Sequence, residues 1–267
     1  MHGVWGIQAG WGTMRGLGVA LALAATTALA PVAAAEKAAI FRIIELKGSA
    51  VKWGSPDLGT GASITYAFAT DPVVFSDARN CRAMVPMDGL LASSGIDRAV
   101  YEAQAGKAFD AWSAVANIQF RRVADPAAAD ILIGAQANPV GRAFTNVSFV
   151  RAAGSAVRPL DKSLICLNPE HTWKVGFDGN LDVYDLGYTL KHEIGHAIGL
   201  DHPSTTSQVM SYRYEERFDQ LQPGDIRGAV ALYGSRQKLM VETPEPRPAS
   251  ASAERGEFHD QPALALP

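Results

Sequence analysis

The run His192-Glu193-Ile194-Gly195-His196-Ala197-Ile198-Gly199-Leu200-Asp201-His202 places three imidazoles and one carboxylate within eleven residues. Three neutral imidazoles bind zinc and leave a fourth position for water, which separates a catalytic zinc site from a closed structural one. Glu193 follows the first imidazole, about 100° round a helix. There it reaches a water at the open position and serves as general base, since zinc lowers that water's pKa to about 7. The same carboxyl would later protonate a leaving amine. The implied chemistry is hydrolysis by direct attack of water, with no covalent intermediate.

These side chains need a helix and a sharp turn. His192 and His196 are four residues apart, so on a helix both project from one face. Leu186, Leu190, Ile194 and Ala197 fall largely on the opposite face, giving the helix an apolar stripe to bury. Asp185 is a good N-cap, and the spacing predicts a helix from near Asp185 to about Gly199. Gly199 tolerates positive φ, so the chain can turn there and return His202 as a third ligand.

The remaining pattern supplies a scaffold. Strands are expected at Ile64–Phe68, Ile118–Val123, Ile131–Ile133 and Leu164–Leu167. Ser94-x-x-Asp97 has capping-box spacing and predicts a helix reaching about Ala116, with Val100, Ala108, Trp112, Val115 and Ala116 at near-helical intervals. A last helix is expected from about Pro223 to Tyr233, with Ile226, Ala229, Val230 and Tyr233 on one face. Strands and helices alternate, so the fold class expected is α/β (α+β).

The extended motif HExxHxxGxxH resembles that of the metzincin metalloproteases, which is followed by a Met-turn. Met210, eight residues after His202, stands where that turn is expected. Within the metzincins, residues 50–234 resemble the matrixin/serralysin branch. Lys52-Trp53, the ITYAF strand, Ala108-Phe109-x-x-Trp112 and Ala129-Asp130-Ile131 are similar to its N-terminal subdomain; Asp225-Ile226 and Leu232-Tyr233-Gly234 are similar to its C-terminal helix. The resemblance implies a mixed twisted sheet, an active-site helix and a smaller C-terminal subdomain. It implies zinc held by His192, His196 and His202, with Glu193 catalytic and Met210 beneath the imidazoles. Gly141-Arg142-Ala143-Phe144 is similar to the edge strand above the family's cleft.

One departure carries a further expectation. Typical matrixins place Tyr directly after the Met, whereas here Ser211 intervenes and Pro203 follows the third His, as in serralysins. Resemblance to serralysins and astacins implies that Tyr212 assists catalysis by stabilising the oxyanion. The calcium repeats of serralysins are missing from this sequence. Asp178-Gly179-Asn180-Leu181-Asp182 opens like a calcium loop, but Val183 and Thr189 stand where an EF-hand needs Gly and Glu. A family-style calcium loop and an Asx-rich turn are both open readings of that segment.

Composition bounds the rest. The chain has 267 residues, a hydrophobic fraction of 48% and a formal charge of −3. That balance argues against nucleic-acid binding. Leu17–Ala30 is an uncharged apolar run after Arg15, followed by Ala33-Ala34-Ala35. This is the layout of a secretory signal over residues 1–35, whose apolar run is too short for a spanning helix. Residues 36–234 are expected as the catalytic domain, and 235–267, rich in Pro, Ala, Ser and charge, as a disordered tail. Export to an extracytoplasmic compartment favours a disulfide between the only two cysteines, Cys81 and Cys166, over two free thiols. The function expected is an exported, monomeric zinc endopeptidase acting on protein or peptide substrates. A zinc-holding binding module is the competing reading, weakened by the intact Glu193.

Overall fold

The computed structural model describes residues 40–150, 155–236 and 265–266. The signal-like segment 1–35 lies outside the described residues. The strands used below are β1 (Arg42–Ile43), β2 (Ser49–Lys52), β3 (Ala62–Phe68), β4 (Ile118–Arg122), β5 (Ile131–Gln136), β6 (Ala143–Phe149), β7 (Val157–Leu167), β8 (Leu200–Asp201) and β9 (Ala265–Leu266). The helices are α1 (Asp88–Ser94), α2 (Arg98–Val115), α3 (Leu186–Ala197) and α4 (Pro223–Tyr233).

The β-branched and aromatic runs form one mixed sheet in the order β4-β3-β5-β7-β6-β9. Neighbours from β4 to β7 are parallel, and β6 runs antiparallel to β7. Parallel neighbours need a crossover, which α2 supplies between β3 and β4. The α/β class expected from the alternation is therefore observed. Both β5 and β6 are buried along their whole length, as strands covered on both faces must be.

The main core lies between the sheet and the two long helices. Tyr101, Phe109 and Trp112 of α2 meet Leu186, Leu190 and Ile194 of α3 there. A smaller cluster on the other face gathers Ala67, Met84, Leu132 and Leu164 around Cys81 and Cys166. Those two cysteines are joined in a disulfide, as expected. Beyond α3 the C-terminal part is small, with α4 as its one helix among the described residues. No described helix is long and apolar enough to cross a membrane.

Several expectations need correction. Ser94 does not open the long helix; it closes α1, and its hydroxyl accepts from the Trp173 N–H at 3.0 Å. Asp97 is the N-cap of α2, although its side chain makes no capping bond. The strand expected at Leu164–Leu167 extends back to Val157, because it also pairs with β2. The segment similar to the edge strand enters β6 at Ala143, and that strand runs on to Phe149. Of the segment 235–267 only four residues are described: Ser235 bridges to Ala116, Arg236 follows it, and Ala265–Leu266 is a strand paired with β6.

Candidate active site

Helix α3 presents the site, and the fold satisfies both of its ends. The Asp185 carboxylate accepts from the Tyr188 N–H at 2.6 Å, so the predicted N-cap is observed. Carbonyls at the other end lack helical partners and find side chains instead. The Trp53 indole and the Ser163 hydroxyl donate to the Ala197 carbonyl at 2.8 and 3.0 Å. The Tyr233 hydroxyl donates to that of Ile198 at 2.6 Å. All twelve residues of α3 are buried. Gly199 then adopts φ 104°, and a Cβ there would overlap the Val51 carbonyl. Only glycine fits that turn. It feeds β8, which pairs with β1 and returns His202 to the helix.

The three imidazoles converge. His192 Nε2 lies 3.0 Å from both His196 Nε2 and His202 Nε2, and the last two are 3.2 Å apart. His192 Nδ1 donates to the Val209 carbonyl at 2.6 Å, and His196 Nδ1 to that of Leu200 at 2.7 Å. These bonds put the proton on Nδ1 and turn the Nε2 lone pairs inward. Lone pairs this close repel unless a cation sits among them. Burial also keeps the rings neutral. It pulls His192 down to about 3 and His202 to about 4, and places His196 well below its usual range. Neighbouring imidazoles add to the effect on His192 and His196, and Arg42 to that on His202. Neutral, oriented and convergent, the three nitrogens fit zinc. Among the described residues they form the one group of His, Cys, Asp or Glu side chains so gathered.

Glu193 is fully buried. Its Oε2 accepts from the Thr145 hydroxyl on β6 at 2.6 Å, while Oε1 has no partner. A buried carboxylate oxygen without a bond is costly, so this atom marks a place for a ligand. Burial pushes the carboxyl up to about 8, opposed by the Thr145 bond. A cation held by the adjoining imidazoles would favour the ionised form.

Two further parts lie underneath. A Cβ on Gly195 would overlap the Met210 sulfur and come within 2.8 Å of Trp112. The Met210 side chain thus packs against the helix backbone between the two ligand positions. The buried Asp225 carboxylate accepts from the Val209 and Met210 N–H groups, both at 3.0 Å, and from the Gln222 N–H at 2.7 Å. Asp225 therefore fixes the turn whose carbonyl orients His192. Sequence reasoning missed this role, although Gln222-x-x-Asp225 has capping-box spacing and the structure shows the box. Thr145 was also missed, and its 48-residue separation from Glu193 leaves no local signal.

Tyr212 is brought to the mouth of the site. Its ring lies edge-on to His202, 5.2 Å between centroids, and is 54% exposed, which excludes a core-aromatic role. The acidic loop is different. The Lys174 ammonium bonds Asp178, the Asn180 carbonyl at 2.7 Å and Glu216 at 2.5 Å. Glu216 also accepts from the Asp178 and Gly179 N–H groups and from the Tyr214 hydroxyl. That hydroxyl in turn accepts from the Asp185 N–H at 2.9 Å, linking the loop to the start of α3. His171 stands apart from the triad, with Nε2 3.1 Å from the Gly141 carbonyl.

A family model described as Matrixin matches residues 90–234, which include every residue of this site. The chain is 33% identical to metalloendoproteinase 1-MMP of Arabidopsis thaliana over 142 residues, 51% of this chain and 39% of that protein. It is 31% identical to mouse matrix metalloproteinase-19 over 135 residues, 49% of this chain and 24% of that protein. With mouse matrilysin the identity is 28% over 159 residues, 55% and 56% of the two chains. The matched stretch thus spans less than two thirds of each of these relatives.

Proposed function

The chain belongs to the matrixin family, and from that membership we propose that residues 36–234 act as a zinc-dependent endopeptidase on protein or peptide substrates. The observation that carries this reading is the convergence of three inward-facing Nε2 atoms at 3.0 to 3.2 Å beside a buried, unpartnered Glu193 Oε1.

His192, His196 and His202 hold zinc, which when bound supplies Lewis-acid polarisation and acidifies water at neutral pH. Glu193 takes a proton from the attacking water on Oε1, while Thr145 fixes Oε2 and with it the direction of the transfer. The same carboxyl then delivers the proton to the amine that leaves. Tyr212, exposed beside His202, donates its hydroxyl to the developing oxyanion. Asp225 and Met210 hold the floor. All of these groups come from one chain, so the site needs no second copy, which supports reading the protein as a monomer.

Calcium is left out of this reading, because the Lys174 ammonium already fills the acidic loop. The signal-like segment 1–35 and the Cys81–Cys166 disulfide support action outside the cytosol.

The test is digestion of denatured casein by the full chain. Cleavage is expected to stop with a zinc chelator, return with added zinc, and be lost in Glu193→Ala while zinc stays bound. Cleavage by Glu193→Ala at the parent rate would overturn the mechanism. Inertness of the parent chain towards both casein and a broad peptide library would favour the binding-module reading.

A further inference from the structure

Strand β6 lies over α3, with Thr145 bonded to the catalytic carboxylate. One side of β6 pairs with β7, through Ala143↔Leu167 and Phe144↔Cys166. Its other side is the edge of the sheet next to the site. Such an edge carries a row of free N–H and C=O groups and is a template for any extended peptide. Here it is not free. Ala265 pairs with Phe144, and Leu266 with Ala143, in antiparallel register. The pairing begins one residue from Thr145.

We propose that the segment Ala265–Leu266 is an internal occupant of the substrate edge, competing with the peptide to be cleaved. The proposal rests on the peptidase reading above and adds a control on that same site. Its chemistry suits the role. Residues 262–267 read Pro-Ala-Leu-Ala-Leu-Pro, small, apolar and uncharged, and so impose no charge on the edge. Proline cannot donate to a ladder, and in the sequence Pro262 and Pro267 flank the two paired residues. A short pairing yields to a longer substrate strand. The segment also belongs to the same chain, so dilution does not weaken its occupancy as it would a free peptide's. The result is a brake that acts on substrate binding and leaves the chemical step alone.

The test uses the full chain and its double variant Ala265→Pro/Leu266→Pro, which removes both N–H groups of the added strand. Hydrogen exchange is followed across residues 143–149, and KM and kcat are measured on a short fluorogenic peptide. The expected result is faster exchange in the variant and a KM lowered by about threefold at unchanged kcat, as for an edge two-thirds occupied in the parent. A synthetic peptide of residues 260–267 should inhibit the variant competitively. Unchanged exchange overturns the proposal, and so does faster exchange with unchanged KM. If exchange quickens but neither form cleaves, the strand contact stands and the peptidase reading falls.

Discussion

Two clusters in this molecule are built from residue types that bind cations, and they differ in what they leave unpaired. In the histidine centre, three lone pairs face one point and Glu193 Oε1 has no partner. At the loop 174–182, Asp178 and the Asn180 carbonyl, joined by Glu216 from further along the chain, converge on the Lys174 ammonium. The first cluster lacks a positive charge, which supports the proposed zinc site. The second contains its own and is therefore a brace, running through Tyr214 and Asp185 to the start of α3. Ligand types and spacing nominate cation sites; unsatisfied valence separates those that bind from those that only hold a loop.

The largest effect expected from this difference comes from depleting cations selectively. A chelator that removes zinc should cut cleavage by about 10³-fold or more, the several kcal/mol that a Lewis acid supplies. A calcium-selective chelator should change the rate by less than about twofold. Steady-state rates on one peptide decide both, and loss of activity on calcium depletion alone would make the loop a second cation site.

Next comes the support beneath the histidines. Asp225→Asn keeps shape but replaces one carboxylate oxygen with an NH₂ that cannot accept, so either the Met210 bond or the Val209 and Gln222 pair of bonds is lost. The turn that orients His192 loosens, and zinc affinity is expected to fall about 10- to 100-fold, as for other outer-shell partners of a ligand. Competition with a chromogenic chelator measures it. The corresponding change in the brace, Lys174→Met, should leave zinc affinity unchanged and cost about 1 to 2 kcal/mol of stability. That is below the roughly 3 to 5 expected for breaking a fully buried pair, because the loop side is open to water. Urea denaturation of the zinc-loaded protein checks this.

The same contrast explains what the sequence could show. His192, Glu193, His196, Gly199 and His202 are legible because a helical turn and one tight bend bring them together, and both are local. The N-cap Asp185 and the last helix are legible for the same reason. Asp225, Thr145 and the strand at Ala265–Leu266 are not: Asp225 has capping-box spacing but its bonds to the Val209 and Met210 N–H groups reach back 16 and 15 residues, Thr145 meets the Glu193 carboxylate across 48 residues, and the strand pairs through backbone groups that carry no sequence mark. Asp178 is a third case, for which the sequence leaves two readings open. Its Asx-rich spacing suits a calcium loop or a turn, and only the fold brings Glu216 round to join Lys174 there. The long helix was mis-started at Ser94 because capping-box spacing ignores the short helix that Ser94 ends.

The smallest expected effect tests the sign of the electrostatics in each cluster. Burial raises Glu193 from its ordinary 4.5 to about 8 in the metal-free protein. Between those values the unfolded chain has released a proton that the folded chain retains, so stability falls as pH rises through this window. Glu193→Gln removes the dependence while keeping an oxygen for Thr145. The metal-free variant should therefore melt with its parent near pH 4 and several degrees above it at pH 8. Added zinc should shrink the gap, since a neighbouring cation favours the carboxylate. The brace should behave oppositely. The Lys174 bond holds Asp178 below its ordinary value; in Glu216 burial pushes upward, but the bonds from Lys174, Gly179 and Tyr214 prevail. Its contribution is present at neutral pH and is lost as pH falls into the acid range, so Lys174→Met should lie furthest below its parent near pH 7 and approach it near pH 3. Parallel melting curves for the two variants across this range would show that the clusters do not differ in the way their unpaired atoms indicate.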